Sequence, residues 1–183
     1  MPELSLPVAR VRESFLAAMQ EFRAEGRGVP GDGTVTGTLI REHGRAWRTP
    51  AGFEAFVGWL RDQALEQTPR GGEVPATELW WLDGDAFLGR AQLRHRLDAL
   101  LFEIGGHIGY DVRPGARRQG HATAMLAAIL PIANGLGIDP ALVTCNPTNT
   151  ASRLVIEHNG GVLEDERLGK LRYWVPTSAS TAP

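Results

Sequence analysis

The chain has 183 residues, 43% of them hydrophobic and 22% charged, with a formal net charge of −2. That is enough chain to bury a core without staples, and the balance is that of a soluble globular protein. The near-neutral charge argues against a general nucleic-acid or membrane surface. A lone cysteine, Cys145, excludes an intramolecular disulfide and fits a reducing compartment. The N-terminus lacks a basic region followed by an apolar run, and no apolar stretch approaches the roughly 18 residues of a membrane span, so the chain reads as cytoplasmic.

In chain order, Leu4 to Val8 fits a short edge strand, with Pro7 keeping it at an edge. From Val8 to Glu25, Val11, Phe15, Leu16, Met19 and Phe22 recur at helical spacing. Gly26 to Gly33 breaks that helix and reads as a mobile loop, and Thr34 to Trp47 is ambiguous, with room for a helical turn. Thr49-Pro50 opens a second helix by a capping residue and then proline, its apolar face being Phe53, Phe56, Val57, Leu60 and Leu65. Pro69 to Pro75 reads as a loop. Thr77 to Leu82 and Ala86 to Leu97 read as a hairpin about Asp83-Gly84. A helical turn over Leu97 to Phe102 precedes a strand at Gly106–Val112.

A helix from Gly120 buries Met125, Leu126, Ile129, Leu130 and Ala133 and stops near Gly135 and Gly137. Ala141 to Cys145 reads as a buried strand and Thr148 to Asn159 as a helix, followed by strands over Val162 to Arg167 and Lys170 to Val175. The order strand, helix, strand requires a parallel pair, from Gly106–Val112 to Ala141–Cys145, with a right-handed crossover. The fold class is α/β (α+β): a mixed, mostly antiparallel sheet with one parallel strand pair and helices on both faces. One domain is expected over residues 1–176, and the polar tail over residues 177–183 reads as disordered.

The chemistry concentrates between Gly105 and Leu130. A short strand leads through Arg113-Pro114-Gly115-Ala116 into Arg117-Arg118-Gln119-Gly120-His121-Ala122, and a helix follows directly. Backbone N–H groups and the positive end of a helix dipole favour an anion there, and Gly120 removes the Cβ that would block it. The arrangement suits a pyrophosphate.

The spacing Arg117-x-x-Gly120-x-Ala122 resembles the acyl-CoA pyrophosphate loop of the GNAT superfamily of N-acetyltransferases. The likeness extends from about Thr77 to Val175, with the residues before it corresponding to the family's variable substrate-side region. It is closest to bacterial members that share a Gly-His-Ile-Gly-Tyr strand and an Asn-Gly-Gly ending, here Gly106–Tyr110 and Asn159–Gly161. It implies that the parallel pair splays and that acetyl-CoA, as co-substrate, inserts between the strands. Backbone groups of Tyr110, Asp111 and Val112 would pair with the pantetheine amides. The N–H groups of Gln119, Gly120, His121 and Ala122, with Arg117 and Arg118 alongside, would hold the pyrophosphate. Asn149, or else Asn146, would bond the cofactor; both residues also fit turn formation and helix capping.

Two departures stand out. Ile156 occupies the place where many members carry the tyrosine that protonates the leaving thiolate, and Gly160-Gly161 replaces Gly-Phe. Tyr110, Tyr173 and Cys145 are the alternative acids. His107 opens the strand where members place a base, and an intrinsic pKa near 6.5 suits that task; Glu103 and Asp111 are weaker candidates. Arg94-His95-Arg96 reads either as an acceptor-pocket lining or as a solvated strand face. His121 and His158 read as surface residues, and Cys145 as a buried thiol rather than a nucleophile. No metal-ligand spacing is present.

The implied activity is transfer of acetyl from acetyl-CoA to a primary amine by direct attack in a ternary complex. The alternatives are a non-catalytic acyl-CoA-binding module and an interaction domain that keeps the fold. The acceptor is a small-molecule or peptide amine, with no nucleic-acid or membrane partner. A homodimer is compatible with tryptophans such as Trp47 or Trp174 lying exposed.

Overall fold

A computed structural model describes residues 1–66 and 74–178. Among the described residues, seven strands form two antiparallel sheets. The first holds β1 (Glu3–Ser5), β2 (Ala76–Asp83), β3 (Ala86–Arg94) and β4 (Ile108–Val112) in that spatial order. The second holds β5 (Ala141–Cys145), β6 (Val162–Arg167) and β7 (Lys170–Val175) in the order β5-β7-β6. Five α-helices accompany them: α1 (Arg12–Ala24), α2 (Val35–His43), α3 (Pro50–Asp62), α4 (His121–Gly135) and α5 (Thr150–His158). Among the described residues no helix is long and apolar enough to cross a membrane.

The first sheet is buried on both faces, and β2 shows why. Its side chains alternate, so Leu79 and Trp81 enter a cluster built on α4, while Trp80 and Leu82 enter a second cluster built on α1 and α3. In the second cluster Phe15 is 2% exposed and its ring lies 5.0–5.9 Å from those of Trp47, Trp80, Phe87, Phe53 and Phe56. In the first, Met125, Leu126, Ile129, Leu130 and Ala133 of α4 pack onto the sheet, as their 3.6-residue recurrence requires.

Several boundaries differ from the sequence reading. The ambiguous stretch after Gly33 is α2, because Thr34 caps it by accepting the Gly37 N–H at 3.1 Å. Thr49 caps α3 in the same way, with Pro50 at its first position, but the helix ends at Asp62 and leaves Leu65 exposed. Gly26 to Gly33 is a tied turn rather than a mobile loop, since the Asp32 carboxylate accepts the Gly28 N–H at 2.8 Å. Trp47 is a core residue, 1% exposed, and serves no dimer face. Thr177, read as part of a disordered tail, is buried: its N–H donates to Asp139 and its hydroxyl to the Ile138 carbonyl. Most of the expected Pro69–Pro75 loop and residues 179–183 lie outside the described residues.

The element that positions the site is the junction of the sheets. No ladder joins β4 to β5, the pair expected to run parallel and splay. Their backbones are joined just ahead of β4, where Gly106 bridges Val143 and the His107 N–H donates to the Leu142 carbonyl at 2.7 Å. Gly106 has φ +71°, and a Cβ there would stand 2.6 Å from the Leu142 carbonyl oxygen, so only glycine permits the approach.

Truncating Phe15 to alanine removes the ring on which the α1–α3 cluster converges. The expected loss is about 3–5 kcal/mol in urea unfolding, the usual range for a buried phenylalanine. A loss below about 1 kcal/mol would show that the cluster is not the anchor of this face.

Candidate active site

Strand β4 carries the site. His107 O accepts the Arg94 N–H at 2.8 Å and the Arg113 N–H donates to Leu88 O at 2.9 Å, which fixes the odd-numbered residues of β4 as those bonded to β3. Tyr110 and Val112 therefore turn their backbone groups to the opposite, unladdered edge. Asp111 turns its backbone to Arg90 of β3, which does not fit the role expected for it in pairing with pantetheine. Its side chain accepts the hydroxyl of buried Thr36 at 2.7 Å and faces Arg27 at 3.7 Å and Arg90 at 3.9 Å.

Beyond Val112 the loop is clamped to α1. Glu21 pairs with Arg113 and accepts the Gly115 N–H at 2.8 Å, and Arg113 holds the Glu21 carboxyl below the usual carboxylate range. Arg117, expected to lie along a bound anion, instead makes a two-point pair with Glu25 at 2.6 and 2.8 Å and donates to Val112 O at 3.1 Å. Arg118 has φ +63° and its side chain makes no hydrogen bond or ion pair among the described residues. Gly120, with φ +81°, occupies the cap position of α4, and a Cβ placed there would meet nothing within 4 Å. The N–H groups of Gln119, Gly120, His121 and Ala122 make no hydrogen bond among the described residues. Four such donors at a helix N-terminus, with Arg118 next to them in the chain, make a cradle whose chemistry suits an anion.

The cradle opens on a cleft between α4 and α5. Gly120, Thr123, Ala124 and Ala127 line one side and Leu154, Val155, His158 and Asn159 the other, around a volume of about 720 Å³. His121 is not a simple surface residue: it is half-buried, and its Nδ1 accepts the Trp81 indole N–H at 3.2 Å. Asn149 caps α5 by accepting the Ser152 N–H at 3.1 Å, and Asn146 accepts a hydrogen bond from Lys170. Asn149 therefore fills the capping role weighed for it, and the Asn146 backbone carbonyl accepts the Asn149 N–H at 2.9 Å in the turn before α5.

Where β4 and β5 part, Tyr110 reaches to α5, its hydroxyl 2.9 Å from the Ser152 hydroxyl. Burial pushes the phenol up to about 12, against the pull of Ser152, so it stays protonated. Cys145 is buried and burial raises its thiol as well. Ile156 is fully buried, a core residue of α5. Tyr173 donates to Glu157, and Glu103 faces Arg167 at 3.4 Å.

His107 takes a part other than the one expected. Its Nδ1 accepts the Leu142 N–H at 2.9 Å, so in the neutral ring the proton is on Nε2. Burial, then the charge of Arg94, lowers its pKa to about 4. Nδ1 is occupied and Nε2 already carries hydrogen, an arrangement that does not suit a general base. Of the Arg94-His95-Arg96 cluster, Arg94 donates to Gly106 O at 3.0 Å, His95 pairs with Thr77, and Arg96 pairs with Glu66 at the surface.

On the opposite face of the first sheet from α4 lies a second cavity of about 560 Å³, between α2, α3 and the floor of β2 and β3. Glu78 and Arg90, each 3% exposed, pair there by two contacts. Sequence reasoning passed over both residues, as well as Glu21, Glu25 and Ser152. The signal for Glu78 was present: a lone carboxylate inside the apolar run Ala76 to Leu82 needs a partner. Among the described residues no group of three or more histidine, cysteine or acidic side chains could hold a metal.

The site thus sets helix-terminal N–H groups beside an unladdered strand edge, an arrangement whose chemistry suits an anionic ligand that carries amides. Residues 37–162 match the family model described as "Acetyltransferase (GNAT) domain", more than half of the chain, and the chain belongs to that family. No curated protein sequence matches it. Among solved structures, it is similar to RimJ of Mycobacterium smegmatis in complex with CoA-disulfide, with 21% identity and a TM-score of 0.61 over 96% of this chain and 81% of that one. It is also similar to the microcin C7 self-immunity acetyltransferase MccE in complex with acetyl-CoA and AMP, with 13% identity and a TM-score of 0.63 over 96% and 92% of the two chains. The PaiA N-acetyltransferase of Thermoplasma acidophilum in complex with coenzyme A gives 13% identity and a TM-score of 0.58 over 96% and 99%. At these identities the likeness is one of fold.

The His107 geometry has a pH signature. The folded ring stays neutral down to about pH 4, whereas in the unfolded chain it takes a proton at about 6.5. The unfolded state then binds more protons in that window, so this contribution is complete above about pH 6.5 and fades as pH falls toward 4. His107→Asn keeps an acceptor for the Leu142 N–H and has nothing to titrate. Denaturant melts of the variant are expected to show a shallower fall in stability over that window than the parent. Parallel curves would show that His107 titrates normally in the fold.

Proposed function

We propose that the protein transfers an acetyl group from acetyl-CoA to a primary amine by direct attack in a ternary complex. The observation that carries this reading is the Gly120 loop: four unpartnered N–H groups at the head of α4, beside Arg118, opening on the α4–α5 cleft. The diphosphate fits that cradle, and the open edge of Tyr110 and Val112 offers the pantetheine amides a strand to pair with. Arg117, with Glu21 and Glu25, holds the loop to α1 rather than contacting phosphate. Structural neighbours in complex with acetyl-CoA or coenzyme A support this choice of co-substrate.

In the reaction the amine nitrogen attacks the thioester carbon, the carbon–sulfur bond breaks, and the departing thiolate takes a proton. The Tyr110 and Ser152 hydroxyls, paired across the parting of β4 and β5, are the donors we assign to that step. A phenol raised to about 12 keeps its proton until a strong base forms beside it. The ammonium of the acceptor loses its proton to water, because His107 is committed to Leu142. The cavity floored by Glu78 and Arg90 receives the acceptor. Ile156, buried where a tyrosine is common in the family, favours one rival reading, an acyl-CoA-binding module without turnover.

Acetyl-CoA at about 100 times its dissociation constant adds roughly 2.7 kcal/mol, which raises the unfolding midpoint of a domain this size by about 5–10 °C. Gly120→Glu places a carboxylate in the cradle without touching the core, and is expected to lose that rise. No rise in the parent, or an equal rise in the variant, would refute the cofactor site. Tyr110→Phe combined with Ser152→Ala is expected to lower kcat for thiol release by about ten-fold or more while leaving the acetyl-CoA shift in place, the scale of a lost proton donor. Undiminished turnover would remove the pair from the mechanism. Binding without thiol release, by the parent and with every amine offered, would favour the module.

A further inference from the structure

The cavity between α2, α3 and the first sheet has apolar walls, from Leu39 of α2, Leu60 of α3 and Leu101. Its floor is the face of the sheet that carries Glu78 on β2 and Arg90, Gln92 and Arg94 on β3. Gln92 differs from the rest of that floor. It is half-buried, and its carboxamide makes no hydrogen bond among the described residues. Two N–H donors and a carbonyl therefore take their partners from water or from a ligand in the cavity. A volume of about 560 Å³ suits a small molecule rather than a folded partner.

Every other polar side chain of the lining is engaged within the fold. Glu78 meets Arg90 by two contacts, Arg94 donates to Gly106 O at 3.0 Å, and Asp98 accepts the Leu101 N–H at 2.8 Å. Gln63 donates to Trp59 O at 3.0 Å, Thr38 accepts from Arg41 at 2.9 Å, and Glu42 stands 3.9 Å from His43. The ionised groups are thus spoken for, and the polar group left to a ligand is a neutral amide.

The sheet register makes Gln92 the middle of a row that ends on β4. Glu78 stands opposite Gln92, and Gln92 stands opposite Gly109. Gly109 brings no side chain to that row, and a Cβ there would meet only Arg94 Nη1, at 3.9 Å, within 4 Å. Its neighbours on the same face are tied down, His107 to Leu142 and Asp111 to Thr36. Gly109 is therefore the low point in the ridge of side chains that β4 raises on that face. Gln92 stands one strand spacing, about 4.8 Å, away from it.

We propose that Gln92 determines the choice of acceptor: its carboxamide hydrogen-bonds a hydroxyl or carboxamide of the acceptor and so carries the amine over Gly109 toward the open edge of β4. The rest of the acceptor is apolar and packs against Leu39 and Leu60. This rests on the acetyl-transfer reading above and narrows it to primary amines with a neutral hydrogen-bonding group close to the nitrogen. A carboxylate in that place would lose hydration without gaining a cation, because the guanidinium groups of the floor are already engaged. A plain alkylamine would displace water from the Gln92 amide and leave it unpaired.

The test uses four amines with the same apolar group: leucinol, leucinamide, leucine and 3-methylbutylamine, which carries the amine alone. Thiol release from acetyl-CoA and calorimetric binding to the CoA-saturated protein are both measured. Leucinol and leucinamide are expected to be favoured over the other two by about ten-fold in kcat/KM and in affinity, the scale of one hydrogen bond. Gln92→Met keeps the length of the side chain and removes the amide. It is expected to bring leucinol and leucinamide down to the level of 3-methylbutylamine, through KM, while the acetyl-CoA thermal shift persists. Gln92→Asn, with the amide on a shorter arm, is expected to keep part of the preference, and it carries the comparison if Gln92→Met fails to fold. Equal or better use of 3-methylbutylamine or leucine by the parent would overturn the proposal and leave acetyl transfer standing. A preference that survives in Gln92→Met would overturn it too, as would failure of leucinol and leucinamide to bind. Selective binding that depends on Gln92, without thiol release, would uphold the role of Gln92 and refute turnover, so the two failures are distinguishable.

Discussion

Everything on the cofactor side of this protein depends on how two sheets are joined at one point and left apart beyond it. His107 makes the joint. Its N–H donates to Leu142 O, its Nδ1 accepts the Leu142 N–H, and its carbonyl takes the Arg94 N–H. A side-chain nitrogen replaces a backbone acceptor, so β4 is pinned to β5 at its start, and Gly106 lets the chains close to contact. Past this joint Tyr110 and Val112 have an unladdered edge. Elsewhere an open edge invites aggregation; in the proposed function it pairs with a ligand that has amides of its own.

The same strand faces two chemistries because its side chains alternate. Ile108 and Tyr110 look toward α4 and α5, where the cradle and the Tyr110–Ser152 hydroxyl pair lie. Gly109 and Asp111 look toward α2 and the charged floor of the second cavity. Burying Glu78 and Arg90 in a sheet otherwise filled by tryptophan and leucine carries a desolvation cost that an apolar pair would avoid. A two-point guanidinium–carboxylate contact offsets much of it and leaves a rigid polar surface. On the other flank, Glu21 and Glu25 tie the Gly120 loop to α1, so the helix that anchors the aromatic core also sets the position of the cradle.

Local, periodic features were legible in the sequence. The buried face of α4, the bounds of β5, β6 and β7, and the Thr49-Pro50 helix start follow from spacing and capping chemistry, and the structure has them where expected. The alternation of β4 likewise separated Asp111 from Tyr110. What escaped were pairings between residues far apart in the chain. Arg117 looks like a phosphate ligand until Glu25 is brought beside it, 92 residues away in sequence. His107 looks like a base until Leu142 occupies its ring nitrogen. Thr34 to Trp47 resisted assignment because its apolar residues are few, and α2 is held by its Thr34 cap and by the tertiary packing of Leu39 and Ile40.

The central claim is that the Gly120 cradle and the free edge of β4 together hold acetyl-CoA, and backbone amide shifts on titration read it residue by residue. Saturable shifts are predicted at Tyr110, at Val112 and from Gln119 to Ala122, with Asp111 shifting less because its N–H is bonded within the sheet. Binding that perturbs other amides and leaves these unmoved, or no binding at concentrations well above roughly 1 mM, the weak end of specific affinities, would contradict the account.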